Sequence, residues 1–185
     1  MRKQDNKREI DPATEAILSH WREAVPDDRL AHLVRDAARG LTRGLQFRLS
    51  QHGISFGHWV FLRILWANNG LTQRELSIQA GLMEPTTHAA MQKMEKLGFV
   101  TKRKEPGDRK RVHYHLTPKG TALRDVLVPL AEDVNAAAVE GVSKEDLETT
   151  RRTLLMMIDN LADDERRALA DGLKITATRE LAFKS

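Results

Sequence analysis

The sequence predicts a mainly α-helical protein with one small β-hairpin. Most of the chain repeats apolar residues at helical spacing, while one short segment alternates as strands do around a turn sequence. No run approaches the roughly 18 consecutive apolar residues of a membrane span. The chain has 185 residues, of which 41% are hydrophobic and 30% charged, and it contains no cysteine. Disulfides and thiolate metal sites are therefore excluded.

The N-terminal part of the chain predicts a tail followed by two helices. Residues 1–10 are basic and lack the apolar run of a secretory signal, so we expect a flexible tail. Residues 11–54 predict one helix over 11–24, with Pro12 in its first turn, and a longer one from about 28 to 52. The longer helix has an apolar stripe formed by Leu30, Leu33, Val34, Ala37, Leu41 and Leu45.

The segment 55–118 carries strong local signals. Its first helix begins after Ser55 and is apolar nearly all round, so we expect it to be the buried centre of the fold. Thr72 stands where the N-cap of a short helix belongs, and Gly81 supplies the left-handed residue that ends this helix. A second helix begins near Pro85, which suits a first turn because its missing N–H is not needed there.

Two strand-like runs follow, over 100–105 and 111–116, around a turn at 106–108. Two short helices and a hairpin predict a winged helix-turn-helix, whose second helix enters the major groove of DNA with the hairpin beside it. Ten basic and five acidic residues lie between Thr72 and Gly120, a net charge of +5 in a chain of formal net charge +4. The positive charge is therefore concentrated where phosphates would lie.

This placement gives a set of candidate DNA-contacting residues. Polar side chains on the second helix can reach base edges, and cations of the hairpin can reach phosphates. The candidates are Thr72, Gln73, Arg74, Pro85, Thr86, Thr87, His88, Gln92, Lys93, Arg103, Asp108, Arg109, Lys110 and Arg111.

The segment 119–185 predicts C-terminal helices. One runs to about residue 140, a second follows Gly141 with Ser143 as its cap and runs to about residue 161, and a last one covers 163–174. The first two cannot bury their apolar sides alone. Packed with residues 11–54 of a second copy, they would form a helical dimerisation region. Such a homodimer would present two recognition helices to one palindromic operator in double-stranded DNA.

These features resemble the MarR family of bacterial transcription regulators over residues 28–161. The family wing reads D-x-R, five residues and then L-T, and the matching residues here are Asp108, Arg109, Lys110, Leu116 and Thr117. The resemblance implies a wing-tip cation in the minor groove. Because Lys110 stands where the pattern has arginine, Arg109 or Arg111 is an alternative for this contact.

The recognition helix departs from the resembled family, because His88 and Ala89 occupy the places where Thr-Arg is common. We therefore expect an operator different from that of relatives with arginine there. An extra N-terminal helix carrying Trp21 resembles the urate-responsive and PecS-like subgroup. Val60 and Ala90 replace an acidic residue and an arginine of the urate group, so urate is not the expected ligand.

The resemblance also implies an effector, since such regulators bind small, often aromatic and anionic molecules beside the dimer region. Here cations fall on apolar helix faces near tryptophans, and a buried charge must be paired or functional. We expect a small aromatic acid. The alternatives are internal salt bridges to Asp36 or Glu95, arginine side chains that reach solvent along their own stems, and tryptophans that belong to the core. The candidate residues are Trp21, Arg48, His52, His58, Trp59 and Arg63.

The predicted function is a dimeric transcriptional regulator, a repressor released from its operator by the effector. The alternative is a constitutive or architectural DNA-binding protein without a ligand. The sequence has no phosphate loop, nucleophile elbow or metal cluster, so we expect neither an enzyme nor a cofactor. His113 and His115 share one face of a wing strand but lack further ligands, so no metal is expected. We expect a cytoplasmic location and no membrane partner.

Overall fold

The computed structural model describes residues 10–22, 30–105 and 107–174. The elements, in chain order, are α1 (Pro12–Arg22), α2 (Leu30–Ser50), α3 (Phe56–Ala67), β1 (Leu71–Thr72), α4 (Gln73–Ala80), α5 (Glu84–Lys96), β2 (Val100–Glu105), β3 (Asp108–Leu116), α6 (Pro118–Ala138) and α7 (Lys144–Ala170). The mainly helical fold class with a small antiparallel wing, formed by β2 and β3, is confirmed. The predicted tail lies outside the described ranges except for Ile10.

Local capping chemistry fixes several helix boundaries where the sequence predicts them. The Ser55 hydroxyl accepts a hydrogen bond from the backbone N–H of His58 at 3.3 Å and starts α3. Gly81 ends α4 with a φ of 64°, a left-handed conformation that glycine adopts readily because it has no Cβ. Ser143 accepts from the N–H of Asp146 and starts α7. These boundaries depend on neighbouring residues alone, so the sequence suffices to predict them.

Helix α3 is the centre of the hydrophobic core. Phe61, Leu62 and Leu65 are fully buried and belong to one cluster with Leu49 of α2 and Leu127 of α6. Burying a side chain of this size stabilises the fold by about 1.5–3 kcal/mol relative to leaving it exposed. The prediction that this apolar helix is the buried centre is confirmed.

The sheet has three antiparallel strands in the order β1-β3-β2. Strand β1 is short, pairs Leu71 with Tyr114 and Thr72 with His113, and passes directly into α4. Sequence patterns do not predict β1 because alternation cannot be seen in two residues. The pairing ties the first helix of the helix-turn-helix to the wing.

Helix α6 connects the wing to α2. At its start, a Cβ added at Gly120 would lie 2.1 Å from the backbone oxygen of Phe99, so only glycine allows this approach. The indole N–H of Trp66 donates to the Gly120 carbonyl at 3.0 Å. Towards its other end, Val134 packs against Gly44 of α2. One helix therefore touches both the DNA-binding segment and the N-terminal helices.

The C-terminal prediction requires a correction, because no helix boundary occurs near residue 162. Helix α7 continues unbroken to Ala170. At the predicted start of a new helix, two aspartates instead pair within α7, Asp163 with Arg166 and Asp164 with Arg167, each three residues apart. Such pairs support a continuing helix.

None of the described residues of α7 is buried. Its apolar face, which we call the α7 face, is exposed, and it consists of Leu147, Leu154, Leu155, Ile158 and Leu161. Helix α2 likewise exposes Leu30 and Leu33, so the described chain leaves two apolar helix surfaces uncovered. No helix of the described part is long and apolar enough to cross a membrane.

Candidate nucleic-acid interface

The helix-turn-helix consists of α4, α5 and the turn between them. At the start of α4, the Thr72 hydroxyl accepts from the Glu75 N–H at 3.3 Å, and Glu75 Oε2 accepts from the Thr72 N–H at 2.7 Å. This reciprocal pair is a capping box, so the N-cap prediction for Thr72 is confirmed. Across the turn, the Ser77 hydroxyl donates to the Leu82 carbonyl at 2.5 Å. Polar contacts thus fix both the start of α4 and the turn that follows it.

Thr72 itself is buried, and its hydroxyl is engaged with Glu75. The prediction that Thr72 contacts DNA is therefore wrong, because its side chain is committed to the cap. The hydrogen bonds from Thr72 hold the pKa of Glu75 below its usual value, and the charges of His113 and Arg111 act in the same direction. The wing strand β3 therefore contributes to the electrostatics at the start of α4.

Helix α5 has one buried and one exposed face. Thr87, Met91 and Met94 are fully buried and fix the helix against the core. The prediction that Thr87 reaches a base edge is wrong, because it lies on this buried face. The exposed face carries all the other α5 candidates, namely Pro85, Thr86, His88, Gln92 and Lys93.

Three polar side chains form a hydrogen-bonded chain across the helix-turn-helix surface. His88 Nδ1 lies 2.9 Å from Oε1 of Gln73 at the start of α4. On the other side of the ring, His88 Nε2 lies 2.9 Å from Nε2 of Gln92. His88 and Gln92 are exposed, Gln73 is half-buried, and Arg74 beside it is exposed. The structure therefore brings predicted residues from both helices together.

The wing adds positive charge beside α5. Arg103 and Arg111 are exposed. The Lys102 Nζ atom forms a salt bridge with Oε2 of Glu95 on α5 at 2.8 Å, and this contact raises the pKa of Lys102. The bond joins the wing to the end of the recognition helix. The remaining wing candidates lie on β3, whose backbone is described there, but their side chains lie outside the described structure; they are Asp108, Arg109 and Lys110.

The base of the wing is fixed by His115. Its Nε2 lies 2.7 Å from Oε1 of Glu105, and its ring covers Gly70, where an added Cβ would meet the ring at 2.8 Å. Gly70 also has a φ of 84° and donates its N–H to the Tyr114 carbonyl at 3.1 Å. His115 thus has a packing role. In the described residues no group of three or more potential ligands could hold a metal ion.

The predicted effector residues do not form one cluster. The Trp21 indole donates to Asp36 at 3.2 Å and links α1 to α2. Arg48 donates to the Gly44 carbonyl of its own helix at 3.1 Å, and His52 is exposed in the turn after α2. Trp21 therefore has surroundings different from those of Arg48 and His52, so the structure does not bring together the predicted pairing of Trp21 with Arg48.

His58 of α3 lies close to Phe99, which follows α5. It is buried, with its ring 6.4 Å from that of Phe99. Burial lowers the pKa of His58, and the charge of Lys93 lowers it further. A ring buried to this degree belongs to the core rather than to an open pocket.

Trp59 and Arg63 are the two effector candidates that the structure brings together. The Arg63 guanidinium lies 5.9 Å from the centre of the Trp59 ring, which packs edge-on against Trp66 at 5.7 Å. Arg63 is exposed, so the prediction that it lies on a buried face is wrong. Both residues line a groove of about 210 Å³ between α2, α3 and α6, together with Leu41, Thr42, Leu45, Phe56, Ala131, Val134 and Asn135. We call this the Arg63 groove.

A second groove, of about 710 Å³, lies between α1 and α2 and was not predicted. Its lining includes three arginines spaced four residues apart on α2, namely Arg35, Arg39 and Arg43. This spacing is visible in the sequence, but it is equally typical of a solvent-exposed helix face and so did not predict a groove. Arg35 and Arg39 pair with Asp36, at 3.0 and 3.7 Å, and Arg43 pairs with Asp11 at 2.6 Å. Arg43 therefore ties the start of α1 to α2, whereas Arg35 and Arg39 pair within α2.

Comparison with known proteins agrees with this geometry. A family model described as MarR family matches residues 54–112. The transcriptional regulator FarR of Neisseria gonorrhoeae is 30% identical over 122 residues, which cover 64% of this chain and 77% of FarR. The regulator TtmR of Methylorubrum extorquens is 28% identical over 82% of this chain and 74% of TtmR. The chain belongs to the MarR family.

Solved MarR-type structures share the fold of this family member. A MarR-family regulator of Listeria monocytogenes, solved with a 26mer DNA, has a TM-score of 0.67 and 21% identity and covers 80% of this chain and 99% of its own. Bordetella bronchiseptica BpsR has a TM-score of 0.64 and 20% identity over 74% of this chain and 97% of its own. The relatives are transcriptional regulators, which confirms the predictions of family and of a non-enzymatic function. The PecS-like subgroup stays a prediction.

Proposed function

We propose that this MarR-family regulator is a homodimeric repressor that binds a palindromic operator and is released from it by a small aromatic acid. Residues 55–118 form the DNA-binding part, and residues 11–54 and 119–185 provide dimerisation. The observation that carries the proposal is the exposed α7 face, which has no partner within the described chain. On the same chain, α5 and the wing present a polar, basic surface suited to DNA.

Dimerisation through the α7 face is supported by its size and composition. Leu155, Ile158 and Leu161 are 52%, 62% and 66% exposed in the single chain. Covering side chains of this size would contribute about 1.5–3 kcal/mol each. The exposed leucines at the start of α2 offer a second apolar surface for the same partner. An isologous arrangement buries both surfaces in both copies at once.

DNA binding in the proposed manner places α5 in the major groove and the wing next to it. The residues available for contact are those that the structure leaves exposed on α5 and the wing, with Arg74 and Gln73 at the start of α4. A dimer with two such surfaces suits an inverted repeat. The repressor role is supported by similarity to relatives named as repressors, MprA of Escherichia coli and NicR of Pseudomonas putida.

The Arg63 groove is our candidate for the effector site. It combines a guanidinium with the edge of Trp59 and the ring of Phe56, a combination that suits the carboxylate and ring of a small aromatic acid. Its volume of about 210 Å³ favours a single ring. BpsR, whose fold is similar, is described as regulated in its DNA binding by 6-hydroxynicotinic acid. The groove lies between α2 and α6, the helices that join the two parts of the molecule.

The dimer can be tested by substituting the α7 face. Ile158→Asp should convert the protein to a monomer, measured by light scattering, and should abolish tight binding to a full inverted repeat. Thr149→Asp introduces the same charge on the opposite side of α7 and should leave the dimer intact. A monomeric wild type that binds the inverted repeat tightly would refute the proposal.

The effector site can be tested by titrating benzoate, salicylate and 6-hydroxynicotinate against protein–operator complexes. We expect release of DNA and a change in tryptophan fluorescence, both lost in Arg63→Ala and retained in Arg48→Ala, because Arg48 lies outside the Arg63 groove. Release that survives in Arg63→Ala would place the site elsewhere.

A constitutive DNA-binding protein without a ligand remains the second candidate function. Specific observations favour it: the tryptophans and Arg48 already have partners inside the protein. It predicts that none of the three aromatic acids alters DNA affinity.

A further inference from the structure

The chain formed by Gln73, His88 and Gln92 determines how one of these side chains is presented to DNA. The carboxamide oxygen of Gln73 can only accept a hydrogen bond, so the His88 Nδ1 atom facing it must carry a proton. The Gln92 Nε2 group can only donate, so His88 Nε2 must be unprotonated. The two contacts, each 2.9 Å long, are therefore satisfied together by a neutral His88 with its proton on Nδ1.

We propose that His88 is a specificity-determining residue that sets the orientation of the Gln92 amide and thereby the base it recognises; this inference rests on the proposed placement of α5 in the major groove. With His88 neutral, Gln92 gives one N–H to the ring and keeps its second N–H and its oxygen for DNA. The free N–H of Gln92 can donate to N7 of adenine, and its oxygen can accept from the N6 amino group of the same base.

Protonation of His88 reverses the presentation of Gln92. Both ring nitrogens then donate, so the Gln92 amide must turn its oxygen towards the ring and its NH₂ group outwards. Two outward donors match the N7 and O6 acceptors of guanine. Gln73 keeps its orientation, because Nδ1 carries a proton in both states. The protein therefore reads adenine with neutral His88 and shifts towards guanine at the same position when His88 is charged.

The surroundings allow this change to occur. His88 and Gln92 are exposed in the free protein, so neither amide rotation nor proton uptake requires unfolding. The nearest charged residues by position are Glu84, one turn earlier on α5, Lys93 beside Gln92, and Arg74 beside Gln73. Carboxylate, ammonium and guanidinium groups ordinarily keep their charge between about pH 5 and 8, the range in which imidazole changes its own.

The test uses the full chain and duplex DNA selected by it from a random library at about pH 8, above the ordinary titration of histidine. Each base pair of the selected site is then exchanged in turn, and affinities are measured at about pH 8 and about pH 5.5. We expect one position in each half-site at which adenine is preferred about tenfold over guanine at the higher pH. At the lower pH this preference should be lost or reversed.

Variants separate His88 from the other six histidines of the chain. His88→Gln keeps a polar side chain without a titrating ring, so it should bind DNA but show the same base preference at both pH values. Gln92→Ala should remove the preference at that position only. His32→Gln, which removes a histidine of α2 outside the DNA-binding segment, should retain the pH-dependent preference.

The outcomes distinguish this inference from the proposed function. Specific binding whose pH dependence is equal for all bases, or is unchanged in His88→Gln, overturns the role of His88 and leaves the operator-binding function standing. Failure of the wild type to select any sequence overturns both.

Discussion

Removing the hydroxyl of Thr72 should destabilise the DNA-binding segment in a way that depends on pH. Thr72→Val keeps the shape of the buried side chain but deprives the Glu75 N–H of its acceptor at 3.3 Å. Loss of an N-cap costs about 0.5–2 kcal/mol, with a typical value of about 1 kcal/mol. The matched variant Thr72→Ser keeps the cap and removes one buried methyl group, which costs about 0.5–1.5 kcal/mol by analogy with Ile→Val.

The pH dependence separates the two variants. The pKa of Glu75 is lowered in the folded protein, mainly by its hydrogen bonds from Thr72. A carboxylate with a lowered folded pKa stabilises the fold above its unfolded pKa, here 4.5, and this contribution is lost as the pH falls through the folded pKa. Thr72→Val weakens that contribution, so its deficit relative to wild type should shrink on acidification. The deficit of Thr72→Ser should stay nearly constant.

Urea denaturation followed by far-ultraviolet circular dichroism measures these differences. One fixed protein concentration is used, because the proposed dimerisation would make unfolding depend on concentration. Measurements at pH values on both sides of 4.5, the ordinary value for Glu75, cover the relevant window. A deficit for Thr72→Val that is equal at both pH values would refute the coupling between Thr72 and the Glu75 carboxylate. Equal curves for wild type and Thr72→Val would refute the capping role.

Three further predictions concern other parts of the molecule. Arg103→Ala with Arg111→Ala should flatten the dependence of log affinity on log salt by about 0.9 per lost phosphate contact, and an unchanged slope would mean that these wing residues do not meet DNA. Leu62→Ala should lower the free energy of unfolding by about 2–5 kcal/mol, since Leu62 is fully buried, and a cost below about 1 kcal/mol would contradict its central position. Asp36→Ala should speed hydrogen exchange in α1 without affecting α3, because Asp36 accepts from Trp21; equal exchange in α1 would show that this contact does not hold the helix.

Much of the fold could be predicted because its signals are local. Ser55 and Gly81 mark helix ends through their own chemistry and that of adjacent residues. The burial of Thr87 could not be read from its type, because threonine is equally acceptable on a polar face. Only its spacing from Met91 and Met94, four and seven residues later, places it on the side of α5 that faces the core.

The candidate effector site was less predictable because it depends on how helices pack against one another. Arg63 and Trp59 are one helical turn apart, so their proximity follows from the sequence. Whether Trp21 or Arg48 joins them depends on the positions of α1 and α2, which local spacing does not determine. The arrangement of α4, α5 and the wing was easier to predict, since these elements are consecutive in the chain.

Helix α6 links the Arg63 groove mechanically to the DNA-binding segment. Its 21 residues span about 32 Å, at about 1.5 Å per residue. One end is clamped by Gly120 against the backbone of Phe99, and the other end borders the Arg63 groove through Val134 and Asn135. The stretch from Gly120 to Val134 is about 21 Å long, so if it moves as one body a tilt of about 5° at the groove displaces the clamped end by about 2 Å. In the homodimer that we propose, such a tilt in each copy changes the spacing of the two recognition helices by an amount comparable to the rise of one base pair, so the proposed ligand need not reach the DNA surface to weaken binding.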